Sequence, residues 1–470
     1  MATTLPVPAR ADHTRSPAPA YRAIWRWHLY AGLFVAPVLI LLAITGALYL
    51  FDREIEGWWN ADVQTVTPGA ARRPLADQEA VVRAAWPGAV VQRVRLPRLA
   101  DEASLWQVRL PGGSDRDIYV DPYRAHVTGE RDPAWQPMAI VRRIHASLLA
   151  GEAGRYVVEL AACWTLVMLV TGILLWWPKR WRARGVIVPR LRGGERRRWR
   201  DLHAIPSALN VLLVAGLILT GLPWSVFWGV QFARLGESVP FIAPTPNFSA
   251  HTPATAGPAP GGAHHHSAPA ATLPWVIRQQ AVPHASGPRR VGIAAVEPLL
   301  ARLDRAQFGE GVRIIYPQAP GEPFTISYVP DRADGQRTLY VDPADGRVID
   351  DIGWARYSPV GRIVEWGTMT HMGRQYGWPN QLANLIVCAG LIGSVVAGLT
   401  LWWRRRPGSA PMGSSERLPA PLVALLAALG IAFPLVGASL IVRLMLGVAR
   451  RAMRARLDGV DREQRGAFGG

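Results

Sequence analysis

The chain has 470 residues, half of them hydrophobic, with 20 tryptophans and a formal net charge of +18. Its apolar residues are gathered into long runs, which excludes a soluble enzyme and points to an integral membrane protein. Nucleic acid is excluded as the reason for the charge, because the basic residues crowd at the ends of the apolar runs, where they set topology.

Residues 1–20 are rich in proline and alanine and are expected to form a disordered cytoplasmic tail. A first span is predicted over 21–51. Leu29 to Phe51 runs without a charge, and its 23 residues at about 1.5 Å each match the roughly 30 Å of a bilayer core. Region 52–150 reads as an external domain. A helix is expected from Ala76 to Trp86, with strands at Val90–Leu96, Leu105–Leu110 and Asp117–Val120 and a turn at Asp121-Pro122. The second span, 151–177, leads into the loop 178–202, where ten Lys/Arg face only Glu195 and Asp201. The positive-inside rule places that loop in the cytoplasm.

Alternation then gives a third span over 203–228 and a second external region over 229–378. That region repeats the first, with a helix at Ile293–Leu303, strands at Val312–Tyr316, Thr325–Val329 and Thr338–Val341, and Asp342-Pro343 answering Asp121-Pro122. A low-complexity insert occupies about 243–292. The fourth span, 379–403, ends on Arg404-Arg405-Arg406 and a short cytoplasmic loop, 404–418. The last apolar run, 419–446, is expected to be a full fifth span, with a re-entrant hairpin broken at Phe433-Pro434 as the alternative, before a basic tail over 447–470. Cys163 and Cys388 lie inside apolar runs of opposite halves and imply core positions, not a disulfide.

The chain is one unit written twice. His28 precedes Thr45-Gly46 by seventeen residues, and His203 precedes Thr220-Gly221 by the same interval. His145 lies thirty-one residues before Trp176, as His371 does before Trp402, and Gly172 and Gly398 each follow their histidine by twenty-seven. Spans one and three run in one direction, so the repeat is parallel and implies a pseudo-two-fold axis along the membrane normal. His28 and His203 then share the cytoplasmic rim, while His145 and His371 share the other. Two facing neutral imidazoles are a ready axial pair for one haem iron. Two such pairs, about 25 Å of helix apart, would form a two-step electron path. The plainer reading is four interfacial histidines copied by duplication.

His264-His265-His266, with His251 and His284, offer a weaker metal reading in a loop without cysteine or acidic partners; His13 and His126 read as surface residues. Thr45-Gly46 and Thr220-Gly221 read as close-packing points. The spans are expected to carry no buried acid or lysine to relay a proton, which sets a transporter aside. There is no GxGxxG after a strand, no P-loop, no HExxH and no CxxCH. Any haem is therefore expected to be b-type, two in number, and any electron donor to be an external cytoplasmic or membrane component.

Trp27-His28-Leu29 with Gly32 and Thr45-Gly46-Ala47, Tyr119-Val120-Asp121-Pro122, Tyr340-Val341-Asp342-Pro343-Ala344-Asp345-Gly346 and the Leu-Trp-Trp span ends resemble the PepSY-associated transmembrane family. The resemblance covers about residues 20–445. It implies two periplasmic α+β PepSY-like domains on a helical membrane core, which with the spans above makes the expected fold an α-helical polytopic membrane protein, four spans in two parallel repeats plus a fifth apolar segment. The family includes bacterial inner-membrane ferric-siderophore reductases, so the resemblance implies haem and a periplasmic ferric siderophore, and His28, His145, His203 and His371 are the positions that match. PepSY modules also act as inhibitory segments of peptidases, which implies the alternative of a membrane-anchored binding or regulatory protein. Tyr123-Arg124-Ala125-His126 departs from the Asp345-Gly346 pattern, so the first turn is expected to differ in geometry.

Overall fold

The computed structural model describes residues 19–178, 181–192, 194–238, 273–278, 282–285, 292–302, 311–404 and 420–467. The expected N-terminal tail, most of the insert and most of the loop after Arg404 lie outside them, as do His13, His251 and His264-His265-His266.

In chain order the helices are α1 (Pro19–Tyr49), α2 (Asp52–Trp59), α3 (Ala61–Gln64), α4 (Leu75–Ala85), α5 (Pro137–Ser147), α6 (Gly151–Trp176), α7 (Glu195–Leu209), α8 (Val211–Gly221), α9 (Phe227–Ser238), α10 (Trp275–Arg278), α11 (Glu297–Arg302), α12 (Pro359–His371), α13 (Trp378–Arg404), α14 (Ala420–Ala432) and α15 (Pro434–Ala467). The strands are β1 (Val90–Arg95), β2 (Ser104–Arg109), β3 (Asp115–Asp121), β4 (His126–Arg131), β5 (Arg313–Ile315), β6 (Phe324–Tyr328), β7 (Arg337–Val341) and β8 (Val348–Gly353). Three helices, α1, α6 and α13, are long and apolar enough to cross a membrane, and the bent pair α7–α8 makes a fourth crossing if its two pieces count as one span. The protein is a multi-pass membrane protein with a separate antiparallel sheet.

The expected third span is not a continuous helix. The pieces Glu195–Leu209 and Val211–Trp224 meet at a bend of 58°. Pro206 sits inside α7, where its ring lacks the N–H that the preceding turn needs and crowds that turn's carbonyl. The expected fifth span is not continuous either. Helices α14 and α15 break at Phe433, ahead of Pro434, and fold back so closely that a Cβ at Gly437 would meet the Gly430 carbonyl oxygen at 2.7 Å. At 13 residues α14 is too short to span. These residues form two helices folded against each other at the break.

Two compact units emerge, residues 1–39, 160–211 and 393–470 in one, and 40–159 and 212–392 in the other. In the first, α15 is tied to α6 by the Trp164 indole N–H, which donates to Ser439 Oγ at 3.1 Å. Arg443 lies over the rings of Trp27 and Tyr30, at 4.7 and 5.4 Å, an arrangement favoured by the ring quadrupole.

The second unit holds one eight-stranded sheet in the order β4-β3-β2-β1-β5-β6-β7-β8. Each half of the repeat makes a four-stranded meander, and the two join edge to edge where β1 pairs with β5. The expected three strands per half are completed by β4 and β8, whose sequences His126–Arg131 and Val348–Gly353 are too polar to alternate. One sheet face is apolar: Val94, Trp106, Ile118, Ile314, Ile326 and Leu339 pack with Val82 and Ile293 from the α4 and α11 regions. At the far end Tyr340 and Ile352 pack with Trp275, Val276 and Val364, which seats α10 and α12 there.

The two Asp-Pro turns have the same geometry, contrary to expectation. Asp121 Oδ1 accepts from the Tyr123 amide at 2.8 Å, and Asp342 Oδ1 accepts from the Ala344 amide at 2.9 Å. Ala125 takes the left-handed conformation (φ 49°) that Gly346 takes in the other turn (φ 68°). A short side chain at a position suited to glycine is strained by a modest amount, and the aspartate anchor holds it.

Candidate functional site: two imidazole pairs

Each unit brings one histidine pair together. In the first, His28 on α1 and His203 on α7 have ring centroids 6.2 Å apart, with planes at 73°. In the second, His145 on α5 and His371 on α12 are 6.4 Å apart at 84°. All four are half-buried. The pairs are those that the repeat predicts. Metal–imidazole bonds of about 2.0–2.1 Å, with each ring centre about 1.1 Å from its nitrogen, place the centroids of two opposed axial ligands roughly 6.3 Å apart. An edge-to-face ring pair occupies the same range, so spacing alone does not select ligation. The hydrogen bonds fix which ring nitrogen stays free.

Every one of the four rings is held by Nδ1. His28 Nδ1 lies 3.0 Å from Thr171 Oγ1, and that hydroxyl gives its own hydrogen to the Val167 carbonyl at 3.0 Å. His145 Nδ1 lies 2.9 Å from Thr45 Oγ1, whose hydrogen goes to the Leu41 carbonyl at 2.6 Å. A hydroxyl whose proton is committed to a carbonyl can only accept, so Nδ1 must donate. His203 Nδ1 faces the Ser394 carbonyl at 2.8 Å, and His371 Nδ1 faces the Leu217 carbonyl at 2.9 Å with Thr220 Oγ1 at 3.1 Å. Carbonyls likewise accept. All four are therefore Nδ1–H tautomers, inferred from their partners, and each Nε2 keeps its lone pair. This is how a metal-ligating histidine is oriented and made more basic.

A glycine lies against each ring, and at Gly398 and Gly172 a side chain would crowd it. A Cβ would lie 3.4 Å from His145 Cε1 at Gly46, 3.3 Å from His28 Cε1 at Gly172, 3.6 Å from His371 Cε1 at Gly221, and 3.0 Å from His203 Nδ1 at Gly398. Thr45-Gly46, Thr171-Gly172 and Thr220-Gly221 are one dipeptide used three times: the threonine hydroxyl faces Nδ1 and the glycine lies against the ring, in tighter than ordinary contact at Gly172 and in ordinary contact at Gly46 and Gly221. Helix packing was the expectation for two of them. Thr171 was missed, although it stands in the same dipeptide one residue before a glycine already in register.

Among the described residues no group of three or more His, Cys, Asp or Glu converges as a metal cage. Two imidazoles alone leave a bare transition-metal ion undercoordinated, whereas a planar macrocycle brings four ligands of its own and needs only an axial pair. The donor set, its tautomers and the glycine cradles fit such a group. His126 stands exposed at the start of β4 and joins neither pair, and His284 packs against Gly321.

The expectation of spans without a buried acid fails at Glu159. This α6 carboxylate is 1% exposed and accepts from the Phe227 and Trp228 amides at 2.8 and 3.0 Å. Both orphan N–H groups belong to the first turn of α9, so Glu159 caps that helix and is fully engaged there.

No curated protein matches the chain. A model of the PepSY-associated TM region matches residues 25–405, most of the sequence, including both pairs and the whole sheet. The chain belongs to the PepSY-associated TM region family.

Proposed function

We propose that the protein is a haem-containing oxidoreductase of the bacterial inner membrane that reduces a periplasmic ferric siderophore. In this reading it has four spans in two parallel repeats, a cytoplasmic N-terminus and two PepSY-like lobes in the periplasm. His28 and His203 would hold one b-type haem at the cytoplasmic side, and His145 and His371 a second at the periplasmic side. The bound haems supply reversible one-electron iron chemistry. One electron from an external donor reduces one chelated Fe³⁺ to Fe²⁺, which hard oxygen ligands hold far more weakly, and the donor is oxidised by one electron.

The chain's own residues do the positioning. Thr171, Thr45 and Thr220 and the Ser394 and Leu217 carbonyls hold the Nδ1 protons, keeping Nε2 bare on all four rings. Gly398 and Gly172 leave the room that the His203 and His28 rings occupy. The single observation that carries the proposal is that all four paired imidazoles turn Nδ1 to an acceptor, which leaves each Nε2 free to face its partner ring. The visible spectrum of detergent-purified protein tests it. Two haems per chain with paired axial imidazoles are expected; a colourless protein from haem-replete cells refutes the proposal.

A further inference from the structure

Between α6 and α7 the chain runs from Trp177 to Gly194 with six Lys/Arg and no Asp or Glu. The segment 181–192 is folded and fastened. The Ile187 and Val188 amides donate to the Ala183 carbonyl at 3.0 and 2.9 Å, and the Gly185 amide donates to the Val188 carbonyl at 2.8 Å. Gly185 is left-handed (φ 90°), and a Cβ on it would meet Arg190 Cζ at 2.5 Å, so the Arg190 guanidinium crosses the turn there. The Arg190 amide and guanidinium donate to the buried Asp201 carboxylate on α7, at 3.2, 2.7 and 3.1 Å. At the other end Trp181 packs edge-on against Trp176 and Trp177, at 5.9 and 5.8 Å. The loop is thus seated at the end of α6, a helix long and apolar enough to cross a membrane.

A folded loop in water turns its large apolar side chains inward, and here only Val186 does so. Trp177, Trp181, Ile187, Val188 and Leu191 are turned out, at 51–63% exposed. Apolar side chains presented on a fastened, charge-rimmed loop mark a membrane or partner surface, and position decides between the two. The loop continues directly from a crossing helix, and its tryptophans are the residue type that settles at headgroup level. Arg182, Arg184 and Arg192 stand exposed among the apolar side chains. Apolar groups at the acyl boundary with basic groups beside them are the composition of an interfacial segment, and the guanidinium fork matches a phosphate. With no acid in 177–194, the charge selects an anionic headgroup.

We propose that the 181–192 loop lies in the interface of the leaflet at which α6 ends and binds anionic phospholipid. Trp181, Ile187, Val188 and Leu191 enter the acyl boundary, and Arg182, Arg184 and Arg192 take lipid phosphates. Asp201 precedes His203 by two residues, so the lipid-seated loop is fastened to the helix that carries the first imidazole pair. The test uses the full chain in nanodiscs of phosphatidylcholine alone and of an equimolar mixture with phosphatidylglycerol, and reads hydrogen exchange of the 181–192 amides. Exchange should be at least about fivefold slower in the mixed discs, while amides of the β-sheet, the reference, should not change. High salt should return the loop to its phosphatidylcholine rate, as should Arg182→Gln, Arg184→Gln and Arg192→Gln combined. Should the triple variant not fold, the salt series on the parent decides. Equal exchange in the two discs overturns the proposal: if slow in both, the contact is apolar and reads no charge; if fast in both, the loop stands off the bilayer and its apolar side chains await a protein. Slowing that survives the triple replacement also refutes it, as does inorganic phosphate substituting for phosphatidylglycerol, which would make the site one for a free anion.

Discussion

Replacing Thr171 by valine removes one oxygen and keeps the shape of the side chain. Thr171 is 4% exposed, and its hydroxyl is the acceptor that holds His28 Nδ1 at 3.0 Å. Without it the Nδ1–H is a buried donor with nothing to bond, which costs about 1–3 kcal/mol. The ring recovers that energy by moving its proton to Nε2, where it blocks ligation. Either way haem at the His28/His203 site should weaken by roughly 5- to 150-fold, in line with the roughly 10- to 100-fold effects of ligand-orienting residues elsewhere. Thr220→Val is the internal comparison, since His371 Nδ1 keeps the Leu217 carbonyl at 2.9 Å and should lose much less. Thr400→Val is the blank, because its hydroxyl bonds only the Val396 carbonyl and serves no ring. Haem titration of apo-protein, followed at the Soret band, ranks the three. Equal effects at Thr171 and Thr220, or none at Thr171, would refute the tautomer argument.

Other predictions follow from the same geometry. Alanine at Gly398 and Gly172, where a Cβ would approach the ring to 3.0 and 3.3 Å, should lower haem occupancy, while alanine at Gly46 and Gly221, at 3.4 and 3.6 Å, should leave it near the parent; haem per protein measures it, and the reverse pattern removes the steric argument. Replacements within a pair should not add: His28→Ala should remove most of one haem, His203→Ala on top should remove little more, and His28→Ala with His145→Ala should remove both. Asp117 offers a pH test. Burial raises it from 3.8 to about 6, so its folded-state penalty is absent below about pH 4 and grows as pH rises through 6. Asp117→Asn should therefore match the parent at pH 4 and be more stable at pH 8, by up to about 3 kcal/mol; a gain at pH 4 that vanishes at pH 8 contradicts the sign.

The four histidines and their pairing were legible because spacing in a duplicated chain is preserved, and a parallel repeat forces equivalent residues to face each other. What holds the rings was not. Thr45 and Thr220 stood in register but read as packing, since an interval of seventeen residues says nothing about which helix a hydroxyl meets. The break in the third span had its signal in Pro206, and hydropathy averaged over a window concealed it. The polar strands β4 and β8 escaped because their alternation is spoiled by residues such as Gly129, Glu130, Asp350 and Asp351. Least legible was the β1–β5 join, which is made of backbone hydrogen bonds between halves and leaves no trace in side-chain pattern.

That join has a consequence for synthesis. Strand β1 ends at Arg95 and its partner β5 begins at Arg313, 218 residues later. At about 5–20 residues per second, roughly 10–40 s pass before the partner is made. For that interval the N-terminal meander has a bare strand edge, the kind of surface on which chains stick to one another. Arg93 and Arg95 sit on that edge, and their charges discourage a second nascent copy from adding there. When β5 arrives it accepts the same repulsion because its register brings core contacts as well.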